Sequence, residues 1–192
     1  MKIRQKTVQR IMKNRPLLLG LAAIVLLTAS TAELYSASFD EEKTETADGR
    51  KFIFPRDALG EGPVIFALAM PQDRKNGTQQ QKELMEWQQY FNENPDILGD
   101  VPVYHFPVLA GVPFFAKGPI KGALAKYYAE AVAPGNLGVL FVSDIETFTT
   151  NAEITLDDQS TLVVVASDGT IQGYLKGALT PEKVRRLQAL IP

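Results

Sequence analysis

The sequence contains no cysteine among its 192 residues. That absence excludes disulfides, thiolate zinc sites and any catalysis by a thiol. It also excludes a lipid-modified cysteine near the N-terminus. Histidine occurs once, at His105. One imidazole is too few for a histidine-based metal site, which needs several converging ligands. The ordinary reading of His105 is a hydrogen-bonded or surface side chain. A Ser-His-Asp triad would have to use this same residue. Ser143, Ser160 and Ser167 have no G-x-S-x-G context around them.

Acidic residues are missing from positions 1–32, while Lys2, Arg4, Lys6, Arg10, Lys13 and Arg15 are basic. An apolar run, Leu17 to Leu27, follows, and then the small residues Thr28 to Ala32. A basic stretch, a short apolar stretch and a small-x-small site form a secretory signal, with cleavage expected after Ala32. The run is shorter than the roughly 20 residues of a stable span. Left uncleaved and extended through Ala32, it would serve as an N-terminal membrane anchor, its basic end on the cytoplasmic side. The expected location is exported, either periplasmic or membrane-anchored and facing outward. A mitochondrial transit peptide is the alternative, but the compact apolar run favours export. Beyond residue 32 the chain has 14 Lys and Arg against 22 Asp and Glu, a net charge of −8. Such a domain is a poor ligand for nucleic acid, whose phosphates demand a basic patch.

Residues 33–50 are polar, acidic and without periodicity, and read as a linker. The domain is expected over 51–192, about 140 residues and enough for one core. Lys51 to Phe54 reads as a short edge strand ended by Pro55. Pro63 to Ala69 is a continuous apolar run, the pattern of a strand buried on both faces. A helix is expected from Thr78, with Gln81 completing a capping box and Leu84, Trp87 and Phe91 on its inner face. Val101 to Leu109 is a second strand, made exposed or irregular by Pro102 and Pro107. Pro119 is expected to open the next helix, with Ile120, Leu124, Tyr127, Tyr128 and Ala131 on one side. Leu137 to Val142 reads as another buried strand. Thr161 to Ala166 and Thr170 to Leu175 form a hairpin across Asp168-Gly169. Thr180 caps and Pro181 opens the last helix, with Val184, Leu187 and Ile191 inward. The outcome is an α/β domain: a mixed sheet of parallel strands plus a C-terminal antiparallel hairpin, flanked by helices.

This order of elements resembles the thioredoxin-like superfamily, and its peroxiredoxin-like members in particular, across residues 51–192. Three stretches, VPVYHFPVLAGVPFFAKGPIKGALAKYY, GVLFVSDIETF and TLVVVASDGTIQGYLKGALTPEKVRRLQALI, resemble a cysteine-poor branch. That branch includes the mitochondrial ATP synthase assembly factors and bacterial relatives. The matching features are Val142-Ser143-Asp144 with Phe148, the Asp168-Gly169 turn, and Thr180-Pro181-Glu182-Lys183. In catalytic members a cysteine follows the first core strand at a helix start, and a cis-proline precedes the hairpin. The matching, degenerate redox stretch here is Met70-Pro71-Gln72-Asp73-Arg74-Lys75, with Met70 a packing residue, and Ser160-Thr161 stands in place of the proline. The resemblance therefore implies a non-enzymatic domain that binds a protein partner, such as a membrane complex under assembly.

The candidate contact residues are Phe114 and Phe115, beside Lys117 and Lys121. Aromatics anchor interfaces, and lysines meet headgroups or acidic side chains. Phenylalanine is usually buried, so the alternative is that both rings fold into the core. Gly118-x-x-x-Gly122 on the same helix permits close helix packing. An exported hydrolase using carboxylates is a second possibility, resting on Asp144 with Glu146 and on Asp157, Asp158 and Asp168. Asp157-Asp158 lacks the regular spacing of a calcium loop. Asp144 is better suited to capping a turn at Ile145 to Phe148. A small-ligand carrier is a third, and would need a closed apolar pocket. Asn76-Gly77-Thr78 is a glycosylation sequon that reads more simply as a turn. No motif implies a cofactor or a bound metal.

Overall fold

The computed structural model describes residues 36–191. The expected export or anchor segment, 1–32, lies outside them. Two short strands come first, β1 (Glu42–Glu45) and β2 (Lys51–Phe54), paired antiparallel. The main sheet contains β3 (Val64–Ala69), β4 (Val103–Ala110), β5 (Leu140–Val142), β6 (Thr161–Val165) and β7 (Ile171–Lys176). Its order is β5-β4-β3-β6-β7. β3, β4 and β5 are parallel; β6 and β7 return antiparallel. The helices are α1 (Arg74–Glu93), α2 (Phe114–Tyr128), α3 (Ile145–Thr150) and α4 (Pro181–Leu190). No helix among the described residues is long and apolar enough to cross a membrane.

β3 is central because it is apolar at every position, and all six residues are buried. Alternate side chains point to opposite faces. Ile65, Ala67 and Ala69 pack with Leu84 and Trp87 of α1 and Val184 and Leu187 of α4. Val64, Phe66 and Leu68 pack with Phe52 and Phe54 of β2 and Phe148 of α3. The second face is an aromatic cluster. Phe54 lies 4.7 Å from Phe66, 5.2 Å from Phe106 and 5.0 Å from Phe39 between ring centroids. Truncating a ring at its centre would cost about 3–5 kcal/mol.

Several boundaries differ from the sequence pattern. The stretch 36–50, part of the expected linker, is folded onto the domain. Phe39 is buried in the aromatic cluster, the Thr44 hydroxyl donates to the Val139 carbonyl at 2.7 Å, and the Ile171 N–H donates to the Ala37 carbonyl at 2.9 Å. A domain boundary at Lys51 is therefore too late. The stretch is polar because β1 alternates half-buried and exposed side chains and is held mostly through its backbone.

α1 begins at Arg74 rather than Thr78, because Asp73 is the cap: its carboxylate accepts from the Asn76 N–H at 2.8 Å. Asn76 thus sits in the first helical turn and not in a loop. α2 begins at Phe114, five residues before the expected Pro119, which lies inside the helix. Pro119 removes the bond to the Phe115 carbonyl without ending the helix. Leu124 and Tyr128 of α2 are buried, but Tyr127 is exposed.

β4 is an inner strand and not an exposed one, but it is irregular at its prolines, the other form expected from them. It begins after Pro102, and Pro107 faces a break in the ladder. The His105↔Leu137 bridge and the Val108↔Leu140 pair share one offset, which places Val139 opposite Pro107. Val139 lies outside the strand, and its carbonyl turns to Thr44 instead.

Candidate functional site

The parallel strands β3 and β4 end at the same edge of the sheet, since Ala69 pairs with Pro107. The segments that follow them at that end are the loop 70–73, where the resemblance expects a degenerate redox position, and the start of α2 at Phe114. Thioredoxin-type chemistry needs a thiolate at a helix N-terminus, where free N–H groups stabilise charge. Here Met70 is buried at 1% exposure and points into the aromatic cluster. Its N–H donates to Gln80 Oε1 at 2.7 Å, and Gln80 Nε2 donates to Asn76 Oδ1 at 2.8 Å. Gln80 is fully buried and clamps the loop to α1. Pro71 lies over Gly77, where an added Cβ would come within 3.2 Å of the Pro71 Cβ. The helix terminus itself carries the carboxylate of Asp73.

The residues that open β6 are also held from α1. Ser160 is buried, and both its N–H (3.3 Å) and its hydroxyl (2.8 Å) donate to Glu83 Oε2. Glu83 Oε1 accepts from Gln79 Nε2 at 3.0 Å. Thr161 is fully buried, and its hydroxyl has no partner. The cis peptide among the described residues is Phe54–Pro55, remote from this position. Glu83 and Gln80 were not singled out by sequence. The available signal was two polar residues at helical spacing on the same face as Leu84 and Trp87.

The aromatic pair on α2 does not fold back. Phe114 is 91% exposed and Phe115 80%. The two lysines named with them are held against the domain. Lys117 Nζ sits 5.0 Å from the Phe141 ring centroid, and Lys121 pairs with Glu45 at 3.3 Å. Lys126, further along the helix, faces solvent.

The carboxylates do not converge. Asp144 caps α3, and the Thr147 hydroxyl and then its N–H hold the carboxyl below the usual carboxylate range. Asp168 sits in the β6–β7 turn, held low by the Thr170 N–H. Asp157 pairs with Lys176 at 2.8 Å, at the other end of β7. Among the described residues no group of three or more histidines or carboxylates could hold a metal. Asp144, Asp157 and Asp168 each serve a separate cap, ion pair or turn.

His105 is buried at 1% exposure. Its Nε2 lies 2.8 Å from Gln88 Oε1, while Gln88 Nε2 donates to an acceptor, Asn92 Oδ1. Nε2 is therefore the protonated nitrogen, and Nδ1 has no partner. Burial pushes the imidazole down to about 3. The Tyr128 ring lies 5.3 Å away, its hydroxyl also unpartnered and pushed up by burial. Gln88 and Asn92 line a groove of about 570 Å³ that opens to solvent, so it is not the closed apolar pocket of a carrier.

No protein-family model matches the chain, and no curated protein matches it. Solved structures do match. A protein from Aquifex aeolicus VF5 assigned to electron transfer superposes with a TM-score of 0.53 at 12% identity, over 81% of this chain and 97% of that one. BsSco, a member of the Sco family of cytochrome c oxidase assembly proteins, superposes with a TM-score of 0.51 at 11% identity, over 81% of this chain and 94% of that one. The fold is thioredoxin-like. At these identities the likeness is one of architecture. The five-stranded sheet of that fold is complete in this chain, which has no cysteine.

Proposed function

We propose that this chain is an exported or membrane-anchored thioredoxin-like domain that binds protein and acts in complex assembly without catalysis. Its contact surface is the start of α2: Phe114 and Phe115 at the centre, Lys117 and Lys121 behind them. The observation that carries this reading is the exposure of two adjacent phenylalanines, 91% and 80%, on a domain that buries its other eight described phenylalanines fully or in part. Large exposed aromatics mark interfaces and commonly dominate their energetics. The Sco family shares the architecture and is described as assembling cytochrome c oxidase. The sequence resemblance to ATP synthase assembly factors supports the same kind of role.

The test is Phe114→Ala with Phe115→Ala in the full-length chain. Both rings leave solvent-exposed positions, so stability should change by no more than about 0.5 kcal/mol. Proteins that co-purify with the native chain from membranes should be lost from the double variant. Unfolding of the variant, or unchanged co-purification, would remove the site.

A further inference from the structure

The groove of about 570 Å³ at the end of α1, the start of β4 and the segment after α2 has a chemistry that the surface at Phe114 does not use. Its polar wall is three carboxamides, Gln88, Asn92 and Asn136, and none of its lining residues is charged. Phe91, Leu98, Val103 and Val132 supply the apolar wall. The direction of the hydrogen bonds behind the carboxamides is fixed from one end. The Ala131 carbonyl can only accept, so Asn92 Nδ2 donates to it, at 3.1 Å. Asn92 Oδ1 then accepts from Gln88 Nε2, and Gln88 Oε1 accepts from the buried Nε2 of His105, both at 2.8 Å. Asn136 Nδ2 donates to the Val103 carbonyl at 3.2 Å. An amide nitrogen carries two hydrogens, and each of these nitrogens uses one within the domain. Three N–H donors are left over, while the oxygens of Gln88 and Asn92 are already engaged.

The rim is charged, and with one sign. Glu93, Asp96, Asp100 and Glu130 each adjoin a lining residue in the chain, and all four are exposed. None of them makes a salt bridge among the described residues. No lysine or arginine occurs over 83–116 or over 127–175. Arg50 reaches the Gly135 carbonyl at 3.0 Å, but the carboxylate of Asp48 lies beside it there. The field over the groove is therefore negative. A ligand that fits must bring acceptor oxygens for the spare N–H groups, positive charge for the rim and apolar side chains for the Phe91 and Val132 wall. A neutral saccharide lacks the charge, and a polyamine lacks the oxygens. An extended peptide with basic and apolar residues has all three, its backbone carbonyls meeting the carboxamides.

We propose that this groove binds an extended, basic segment of a partner protein. It lies past the end of α2, about 22 Å along that helix from Phe114, so the proposal does not rest on the contact surface assigned to the other end. The probe is a short peptide alternating lysine and valine, titrated against the full-length chain in discs of zwitterionic lipid, with empty discs as the blank. It should bind with a micromolar Kd at low salt and more weakly as salt is raised. Removing the rim charges together, by Glu93→Gln, Asp96→Asn, Asp100→Asn and Glu130→Gln, should weaken binding at least about tenfold. Ala133→Trp puts a ring into the groove from an exposed position and should abolish binding. All five positions but the groove itself are at the surface, so circular dichroism should show both variants folded. The chain with Phe114→Ala and Phe115→Ala should bind the peptide as the native chain does. Spermine should bind at least about tenfold more weakly than the peptide, and a glutamate–valine peptide should not bind. The proposal is overturned if the lysine–valine peptide fails to bind the native chain, or if spermine or the glutamate–valine peptide binds as well. It is equally overturned if the charge-neutralised chain or the Ala133→Trp chain, once folded, binds the peptide undiminished.

Discussion

Of the polar side chains sealed inside this domain, His105 has the clearest consequence in solution. Its folded pKa is depressed to about 3 from 6.5. Below pH 6.5 the unfolded chain takes up a proton that the folded chain refuses, so stability falls as the pH drops. The slope is about 1.4 kcal/mol per pH unit until the folded pKa is approached. His105→Gln keeps a donor toward Gln88 and removes the titration. Urea denaturation at pH 6 and pH 4 should show the native chain losing that much more per unit than the variant. A second residue-scale expectation concerns Glu83. Glu83→Ala strands the buried N–H and hydroxyl of Ser160 and should cost about 1–3 kcal/mol, whereas Glu83→Gln, which retains an acceptor, should cost less. His105 was legible from sequence as an ordinary hydrogen-bonded or surface group, and its hydrogen bond to Gln88 fits the first; its burial was not legible. The clamp of Gln80 and Glu83 on Met70 and Ser160 was not, because it joins residues 10 and 77 positions apart and depends on where α1 lies against the sheet.

The elements themselves were mostly readable. β3, β6, the β6–β7 hairpin and α4 with its Thr180 cap announce themselves through apolar runs, a Gly turn and a Pro after a capping hydroxyl. α1 and α2 were read too short for one shared reason. Each starts in a stretch whose local signal points elsewhere: Asn76-Gly77 in α1, and Pro119 in α2. Tertiary contacts override both. Gly77 is tolerated because Pro71 packs on it, and Pro119 because the preceding five residues are already helical. The exposed glycines of α2 allow a sharp expectation. Gly118→Ala and Gly122→Ala should each raise stability by up to about 1 kcal/mol, read as a higher urea midpoint with unchanged slope. A fall in stability would mean that the helix backbone there depends on glycine.

At the scale of the whole molecule, the sheet was legible and its lower boundary was not. The pattern places the first domain residue at Lys51, yet residues 36–46 contribute Phe39 to the core and pair with both edges of the fold. A chain beginning at residue 36 should fold cooperatively. One beginning at residue 51 loses the Phe39 ring and the Thr44 bond to Val139. It should lose at least about 3 kcal/mol, seen as a lower thermal midpoint by circular dichroism. Equal stability of the two chains would return 36–50 to the status of a linker.

The pairing of the first described residues with the last strands also governs when this protein can fold. Thr44 waits for Val139, 95 positions later, and β3 waits for β6 to complete its second side. A chain emerging from the ribosome therefore cannot close its central sheet until nearly all of it has been made. Until then its apolar strand β3 stands unpaired and in need of protection. Its sheet is therefore completed after most of the synthesis is done, and a chain halted before β6 should not fold.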